Sequence, residues 1–113
     1  MNVVDSCGWL EYFAGGPNAE FFATPLEAED GSLIVPTLCL YEVYKIILGQ
    51  FGRKEAGERI AVMKQGTVIP FSDTLALEAA VVSREKKLPM ADSIILATTH
   101  SYNAVLWTQD AHF

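Results

Sequence analysis

The chain has 113 residues, of which half are hydrophobic, and its formal net charge is −6 at pH 7. This size and composition predict one domain with a substantial core and argue against intrinsic disorder, while the acidity argues against a general nucleic-acid binder. No basic region follows Met1 and no apolar run is long enough to cross a bilayer, so we expect a cytoplasmic protein without a signal peptide or membrane contact.

Short apolar strands alternate with helices along the whole chain. In chain order we predict a strand at residues 2–5, helices at 6–16 and 18–29, a strand at 32–36, helices at 38–51 and 53–65, a strand at 67–71, helices at 74–87 and 90–102, and a strand at 104–108. This alternation indicates an α/β fold in which helices cover both faces of a parallel sheet.

Glycine, proline and hydroxyl residues set the expected helix ends. Gly15 should stop the first helix, and Pro25 should kink or shorten the second. Thr37 is expected to cap the third helix, and Ser72 or Asp73 the fifth. Because the third helix is apolar on nearly every side, we expect it to be buried or to lie at a subunit interface.

Four acidic residues interrupt apolar sequence. Asp5 ends the first strand and Asp110 follows the last, so their carboxylates should meet at the ligand-binding edge of the sheet if these strands are neighbours. Glu42 lies in the apolar third helix, and Asp92 in the first turn of the last helix. Clustered carboxylates repel one another, and a divalent cation resolves that conflict. Oxygen-only ligands favour Mg²⁺ or Mn²⁺, and the chemistry implied is phosphodiester hydrolysis.

Each acid also has an ordinary structural explanation. Aspartates such as Asp5 and Asp110 commonly form turns or caps after strands. Asp92 is favoured in a first helical turn by the helix dipole, and Glu42 is free to face solvent or to pair with Lys45. The shared site is favoured because all four acids recur at structurally matched positions.

Three segments resemble PIN-domain ribonucleases of the VapC toxin type: VVDSCGWLEYF at residues 3–13, TLCLYEVYKII at 37–47, and LPMADSIILATTHSYNAVLWTQDAHF at 88–113. The last contains a D-x-x-x-x-A helix and then T-x-D. The resemblance implies a single PIN-like domain over residues 1–113, a three-layer α/β/α fold with a central parallel sheet of four or five strands. Relatives usually continue beyond the last acid, so we expect a C-terminus that is either trimmed or naturally short.

The resemblance also implies a function and its residues. It implies a metal-dependent endoribonuclease that hydrolyses RNA with a carboxylate-bound Mg²⁺ or Mn²⁺ and an activated water, and that is held off by a cognate antitoxin protein. The metal-binding and catalytic acids would be Asp5, Glu42, Asp92 and Asp110. The hydroxyls of Ser6 and Thr108 would orient them, although a plain strand-end role for Thr108 is an equal alternative.

Other residues are weaker candidates. His112 is a candidate general base near the last acid, and His100 a weaker one, since a helix-end histidine is ordinary. Tyr41 and Tyr44 predict a homodimer interface or, equally, burial within the monomer. Trp9, Tyr12 and Phe13 are candidates for antitoxin contact, with core packing as the alternative. The candidates for RNA-backbone contact, with surface solubility as their alternative, are Arg53, Lys54, Arg84, Lys86 and Lys87.

Two other classes of protein compete with the nuclease. A receiver-like signalling domain is also α/β with an acidic Mg²⁺ pocket, but it needs an adjacent acidic pair and a late lysine, whereas Asp5 is followed by Ser6 and no lysine follows Lys87. A non-catalytic PIN-like binding module is the other alternative, and the four intact acids disfavour it.

Overall fold

A computed structural model describes residues 1–113, and it contains four strands and five helices. They are β1 (Asn2–Val4), α1 (Ser6–Ala14), α2 (Ala19–Leu26), β2 (Leu33–Pro36), α3 (Thr37–Met63), β3 (Thr67–Ile69), α4 (Asp73–Lys86), α5 (Met90–Ser101) and β4 (Val105–Trp107). All four predicted strands are confirmed, each slightly shorter than expected. None of the helices is both long and apolar enough to span a bilayer.

The strands form one parallel sheet in the order β3-β2-β1-β4. The predicted three-layer α/β/α fold is therefore confirmed, with four strands. The first and last strands are neighbours, and their register pairs Val4 with Trp107. Because both strands run in the same direction, the residues that follow them emerge at the same edge of the sheet.

Most of the predicted helix ends are confirmed. Gly15 stops α1 in the left-handed conformation, with φ 65°. Pro25 shortens α2, which ends one residue later at Leu26. At the start of α4 the Ser72 hydroxyl accepts a hydrogen bond from the Leu75 backbone N–H at 3.2 Å, so Ser72 and not Asp73 is the cap.

The predicted cap of α3 by Thr37 is wrong. Strand β2 runs directly into α3, and the last extended residue before the helix is Pro36, with φ −61° and ψ 138°. Thr37 already lies in the first helical turn, and no side chain caps this helix. The fixed φ of proline suits this abrupt junction, and it moves the helix start one residue earlier than the hydroxyl pattern predicts.

Helix α3 continues through both predicted segments but kinks at Gly52, where φ is 87° and ψ is −178°. One face of its first half is buried and the opposite face is exposed, so the burial of Tyr41 and Tyr44 within the monomer is wrong: they are 61% and 36% exposed. The exposed hydrophobic side chains of this half are Tyr41, Tyr44, Ile46, Leu48 and Phe51.

The core is built around the central strand β1, whose Val3 and Val4 are fully buried. Trp9 is buried beside them, while Tyr12 and Phe13 are partly buried against the same cluster. The other members of the main core cluster are Phe22, Ile34, Val35, Cys39, Val43, Ile47, Ala56, Met63, Ile69, Leu75 and Ile95. A continuous core therefore fixes both the sheet and the start of α1.

Gly8 sits where α1 approaches the core most closely. A β-carbon there would lie 2.6 Å from Phe22 and 2.7 Å from Val4, both of which are fully buried. We expect Gly8→Ala to lower the free energy of unfolding by about 1–3 kcal/mol, because neither neighbour has room to move. Urea denaturation measures the change. The matched control is Gly49→Ala in α3, where a β-carbon meets open space and stability should rise slightly; equal effects of the two changes would contradict the prediction.

Candidate metal and catalytic site

The site is built where β1 and β4 end side by side. Asp5 follows β1 directly and is the N-cap of α1, while Asp110 lies beyond the end of β4. The Asp5 backbone N–H donates to the Trp107 carbonyl at 3.0 Å, so the sheet pairing continues to the first residue of the site. After burial, the charge of Asp110 is a further and smaller cause that raises the pKa of Asp5.

Asp5 is the most enclosed of the four acids, with 4% of its surface exposed. Its Oδ1 accepts a hydrogen bond from the Ser6 backbone N–H at 2.7 Å, and its Oδ2 accepts one from the Thr108 hydroxyl at 2.9 Å. Burial raises the pKa of Asp5, and these hydrogen bonds offset only part of that effect. A buried carboxylate that has hydrogen-bond donors but no positive partner lacks charge compensation.

Glu42 reaches the same place from α3. Its Oε1 accepts a hydrogen bond from the Ser6 hydroxyl at 2.7 Å. Burial raises the pKa of Glu42, the Ser6 hydrogen bond lowers it, and the charges of Asp5 and Asp92 raise it further. The alternative in which Glu42 pairs with Lys45 is wrong, because the Lys45 ammonium lies over the Tyr41 ring, 5.8 Å from its centre, and forms no ion pair with Glu42.

Asp92, Asp110 and His112 form the outer part of the site. The Nδ1 atom of His112 lies 2.7 Å from Asp92 Oδ2 and 3.5 Å from Asp110 Oδ1. The Asp92 side chain is 13% exposed and that of His112 is 59% exposed. The hydrogen bond to Asp92 and the charge of Asp110 raise the pKa of His112. This histidine is the only basic side chain within ion-pair distance of the four acids.

Two hydroxyl groups join the acids to one another. Thr108 donates to Asp5 Oδ2 and accepts a hydrogen bond from the Asp110 backbone N–H at 2.9 Å, so it fixes the first and last acids together. Ser6 lies beside Asp5 in sequence and holds Glu42 through its hydroxyl. Both are placed where they can orient carboxylates, and Thr108 makes contacts that a plain strand-end residue would not.

Sequence reasoning missed Cys7 as a member of this site. Its Sγ donates to Asp5 Oδ2 at 3.3 Å and lies 3.6 Å from the Thr108 hydroxyl. Burial raises the pKa of Cys7, so it stays a thiol and a donor at neutral pH. Its position in the first turn of α1, two residues after Asp5, was the available signal.

The remaining candidates lie outside the cluster. His100 is exposed near the C-terminal end of α5, the opposite end from Asp92. The five basic candidates are all exposed, with two just past the kink of α3 and three at the end of α4, which leads within a few residues to the first turn of α5. They are Arg53, Lys54, Arg84, Lys86 and Lys87, and none forms an ion pair with the four acids.

The residues present fit a divalent cation. The carboxylates of Asp5, Glu42, Asp92 and Asp110 belong to one hydrogen-bonded region, and no lysine or arginine neutralises them. Within it, only Asp92, Asp110 and His112 have ligand atoms that all lie within 4.8 Å of one another. Hard oxygen ligands are those that Mg²⁺ and Mn²⁺ prefer, and a doubly charged ion compensates the burial and the lesser charge repulsion that raise the pKa values of Asp5 and Glu42. The set is therefore suited to Mg²⁺ or Mn²⁺.

A family model described as the PIN domain matches residues 3–113. The chain belongs to the PIN-domain family. This membership confirms the family resemblance of the sequence, and no structural feature points instead to a receiver domain. A search of curated proteins gives no significant match to this PIN-domain chain.

Solved structures share the fold of this PIN-domain chain at low sequence identity. A chain of a toxin–antitoxin complex from Klebsiella pneumoniae has a TM-score of 0.79 and 21% identity over 97% of this chain and 87% of its own. FitAcB from Neisseria gonorrhoeae has a TM-score of 0.80 and 18% identity, covering 99% and 89%. The Mycobacterium tuberculosis VapC20, a sarcin–ricin loop cleaving toxin, has a TM-score of 0.73 and 16% identity, covering 97% and 92%.

Proposed function

We propose that this PIN-domain chain is a metal-dependent endoribonuclease and the toxin of a toxin–antitoxin pair, acting as a single domain over residues 1–113. The observation that carries the proposal is a group of acids without a lysine or arginine partner, in which Thr108 joins Asp5 to Asp110, His112 lies between Asp110 and Asp92, and Ser6 holds Glu42 beside Asp5. Family membership supports a nuclease, and the toxins among the structural neighbours support the biological role. Its RNA substrate and its two free cysteines favour the cytoplasm as its compartment.

In the proposed reaction Asp5, Asp92 and Asp110 would hold Mg²⁺ or Mn²⁺, and Glu42 would complete the set. The cation, when bound, supplies the positive charge that acidifies a water and neutralises a phosphate. Thr108 keeps the Asp5 carboxylate turned towards Asp110, and Ser6 occupies Oε1 of Glu42. That leaves Oε2 of Glu42 available to the ion. In-line attack of the water on phosphorus would break the bond to the 3′ oxygen, leaving 5′-phosphate and 3′-hydroxyl ends.

Total RNA incubated with the purified chain tests this proposal. We expect discrete cuts in the presence of Mg²⁺ or Mn²⁺ and none after chelation, and mapping of the cut ends should find 5′-phosphates. Cleavage that persists in chelator, or products with cyclic phosphate ends, would overturn the mechanism. The absence of cleavage with either metal would favour the non-catalytic binding module.

We propose that RNA approaches the site along exposed basic residues, because the chain as a whole carries a net negative charge that does not attract RNA. Arg84, Lys86 and Lys87 end α4 shortly before the first turn of α5, which carries Asp92, and this closeness along the chain supports a role in contacting the RNA backbone beside the site. Arg53 and Lys54 follow the kink of α3 and extend the basic surface. Contacts of this kind make RNA binding weaken steeply with salt, which filter binding at increasing salt concentration measures.

This chain has a groove that is suited to binding the proposed antitoxin. A cavity of about 670 Å³ lies between α1 and α3, and it is mainly apolar. Cys7 and Gln109 line its end nearest the acids, so a segment bound there would extend to the active site. The hydrophobic lining residues are Cys7, Leu10, Phe13, Ala14, Ile46, Ile47 and Phe51.

Phe51→Asp is expected to weaken antitoxin binding at least about tenfold, because it places a charge on an apolar wall of the groove. Phe51 is 68% exposed, so the fold should tolerate the change. The measurement is the affinity for the small protein encoded beside this chain, determined by calorimetry. Leu77→Asp is the matched control, since Leu77 is 72% exposed on α4 and outside the groove. Equal affinities of the two variants would exclude the groove as the docking site.

We also propose a homodimer formed through α3. Tyr41, Tyr44 and Leu48 recur at helical spacing and leave an apolar stripe exposed on this helix. A monomer gains nothing from exposing such a stripe, whereas a second copy would bury it. Sedimentation velocity of the purified chain decides between the 12.4 kDa monomer and a species of twice that mass.

A further inference from the structure

The outer part of the acidic site contains a nitrogen atom as well as oxygen atoms. One ligand atom each from Asp92, Asp110 and His112 lies within 4.8 Å of the other two. His112 Nδ1 is 2.7 Å from Asp92 Oδ2 and 3.5 Å from Asp110 Oδ1. The oxygen-only set expected from the sequence is therefore incomplete as a description of the groups that surround an ion here.

These separations match the edges of a coordination shell. Metal–ligand bonds of about 2.1 Å, as in Mn²⁺, Mg²⁺ and Zn²⁺ sites, place neighbouring ligand atoms roughly 3.0–3.4 Å apart in octahedral or tetrahedral geometry. The two measured distances lie close to either side of that range. The distances from Nδ1 are therefore compatible with one ion shared between the imidazole and both carboxylates, whose ligand atoms lie within 4.8 Å of each other.

The backbone holds the histidine in this place. The His112 N–H donates to Asp110 Oδ1 at 2.9 Å, and the Asp110 N–H donates to the Thr108 hydroxyl at 2.9 Å, which in turn donates to Asp5. The turn after β4 therefore fixes the backbone of His112 through the same hydrogen bonds that join Asp5 and Asp110, and the imidazole itself contacts Asp92 Oδ2 through Nδ1. A surface histidine placed by chance would lack this chain of hydrogen bonds.

We propose that His112 is a nitrogen ligand of the ion held by Asp92 and Asp110, and that it gives the site a preference for Mn²⁺ and related transition ions over Mg²⁺. Imidazole nitrogen suits transition ions, whereas Mg²⁺ favours oxygen. The inference rests on the proposed metal site. It goes beyond that site because it adds a ligand and determines which ion is preferred.

The experiment measures binding rather than cleavage. The metal-free full chain is titrated with Mn²⁺, and free Mn²⁺ is followed by electron paramagnetic resonance; Mg²⁺ affinity comes from competition. His112→Gln should weaken Mn²⁺ binding about tenfold and Mg²⁺ binding less than about twofold. His100→Gln is the matched control, at an exposed position in the last turn of α5, far from Asp92 in the first turn. It should change neither the Mn²⁺ nor the Mg²⁺ affinity.

A spectroscopic readout keeps the test independent of the variant's folding. Pulsed electron paramagnetic resonance of the Mn²⁺-loaded wild-type chain should show coupling to a directly bound nitrogen, and His112→Gln should abolish it. Absence of that coupling, an equal loss of affinity for both ions, or tighter Mn²⁺ binding in the variant would overturn the proposal. Tighter binding would mean that His112 only competes with the ion for the two carboxylates.

Failure here is distinguishable from failure of the proposed function. If the protein cleaves RNA and His112→Gln leaves the ion preference unchanged, the proposal that His112 is a ligand is refuted and the proposed nuclease function is supported. Nitrogen coupling without cleavage of any RNA would retain the ligand and refute the nuclease.

Discussion

Asp5→Asn is expected to reduce metal-dependent RNA cleavage by more than about 100-fold while the protein stays folded. The change removes the negative charge of the most enclosed acid. The loss of activity should exceed the roughly 10–100-fold typical of residues that only orient a metal ligand. The amide keeps the shape of the carboxylate and still accepts the Ser6 backbone hydrogen bond. The measurement is the initial rate of RNA cleavage at saturating Mn²⁺, with circular dichroism to verify the fold.

Asp73→Asn is the matched control for that variant. Asp73 also lies at a helix start and also accepts a hydrogen bond from the next backbone N–H, at 3.0 Å, but it is exposed and belongs to α4. Cleavage should therefore be unchanged in Asp73→Asn. If folded, metal-replete Asp5→Asn cleaves RNA at the wild-type rate, the four acids can no longer be assigned a metal-binding and catalytic role.

The parts of this site that could be predicted from the sequence depend on local patterns. Alternating apolar segments predict the strands, and Asp5 and Asp110 are expected at one edge of the sheet if the first and last strands are neighbours, as they are. Asp92 was expected in the first turn of α5 because Pro89 marks the helix start. Glu42 is a candidate because it interrupts an apolar helix, and the family resemblance adds its proposed role as a metal-binding acid.

The rest depends on contacts between distant segments. The Ser6–Glu42 hydrogen bond joins residues 36 positions apart, and the Cys7–Thr108 contact joins residues 101 apart. Neither spacing leaves a trace in the sequence, because the first follows from how α1 packs against α3 and the second from the pairing of β1 with β4. The helix cap at Pro36 was missed for a simpler reason: a hydroxyl next to a proline satisfies the cap pattern, and only the backbone shows which residue is still extended.

Glu42→Gln is expected to be more stable than wild type without metal and to gain less stability than wild type when metal is bound. Burial raises the pKa of Glu42 above its ordinary value of 4.5, so ionisation of this group disfavours the folded state. Below pH 4.5 the group is protonated in both states and carries no such cost; as pH rises through the raised folded value, the wild-type chain loses stability that the glutamine variant retains. In metal-free buffer at neutral pH the variant should therefore be the more stable of the two.

Divalent metal changes the sign of that difference. At a free Mn²⁺ concentration about a hundredfold above Kd, the wild-type chain should gain about 2.7 kcal/mol, whereas the variant binds more weakly and gains less. Urea denaturation at neutral pH, with chelator and with Mn²⁺, gives both differences, and a metal-free series from pH 4 to 8 follows the effect of ionisation. Glu58→Gln on the exposed second half of α3 is the control and should respond to metal as wild type does. A variant that is less stable than wild type without metal would show that the Ser6 hydrogen bond to Glu42 outweighs its burial, and equal gains from Mn²⁺ would show that Glu42 holds no ion.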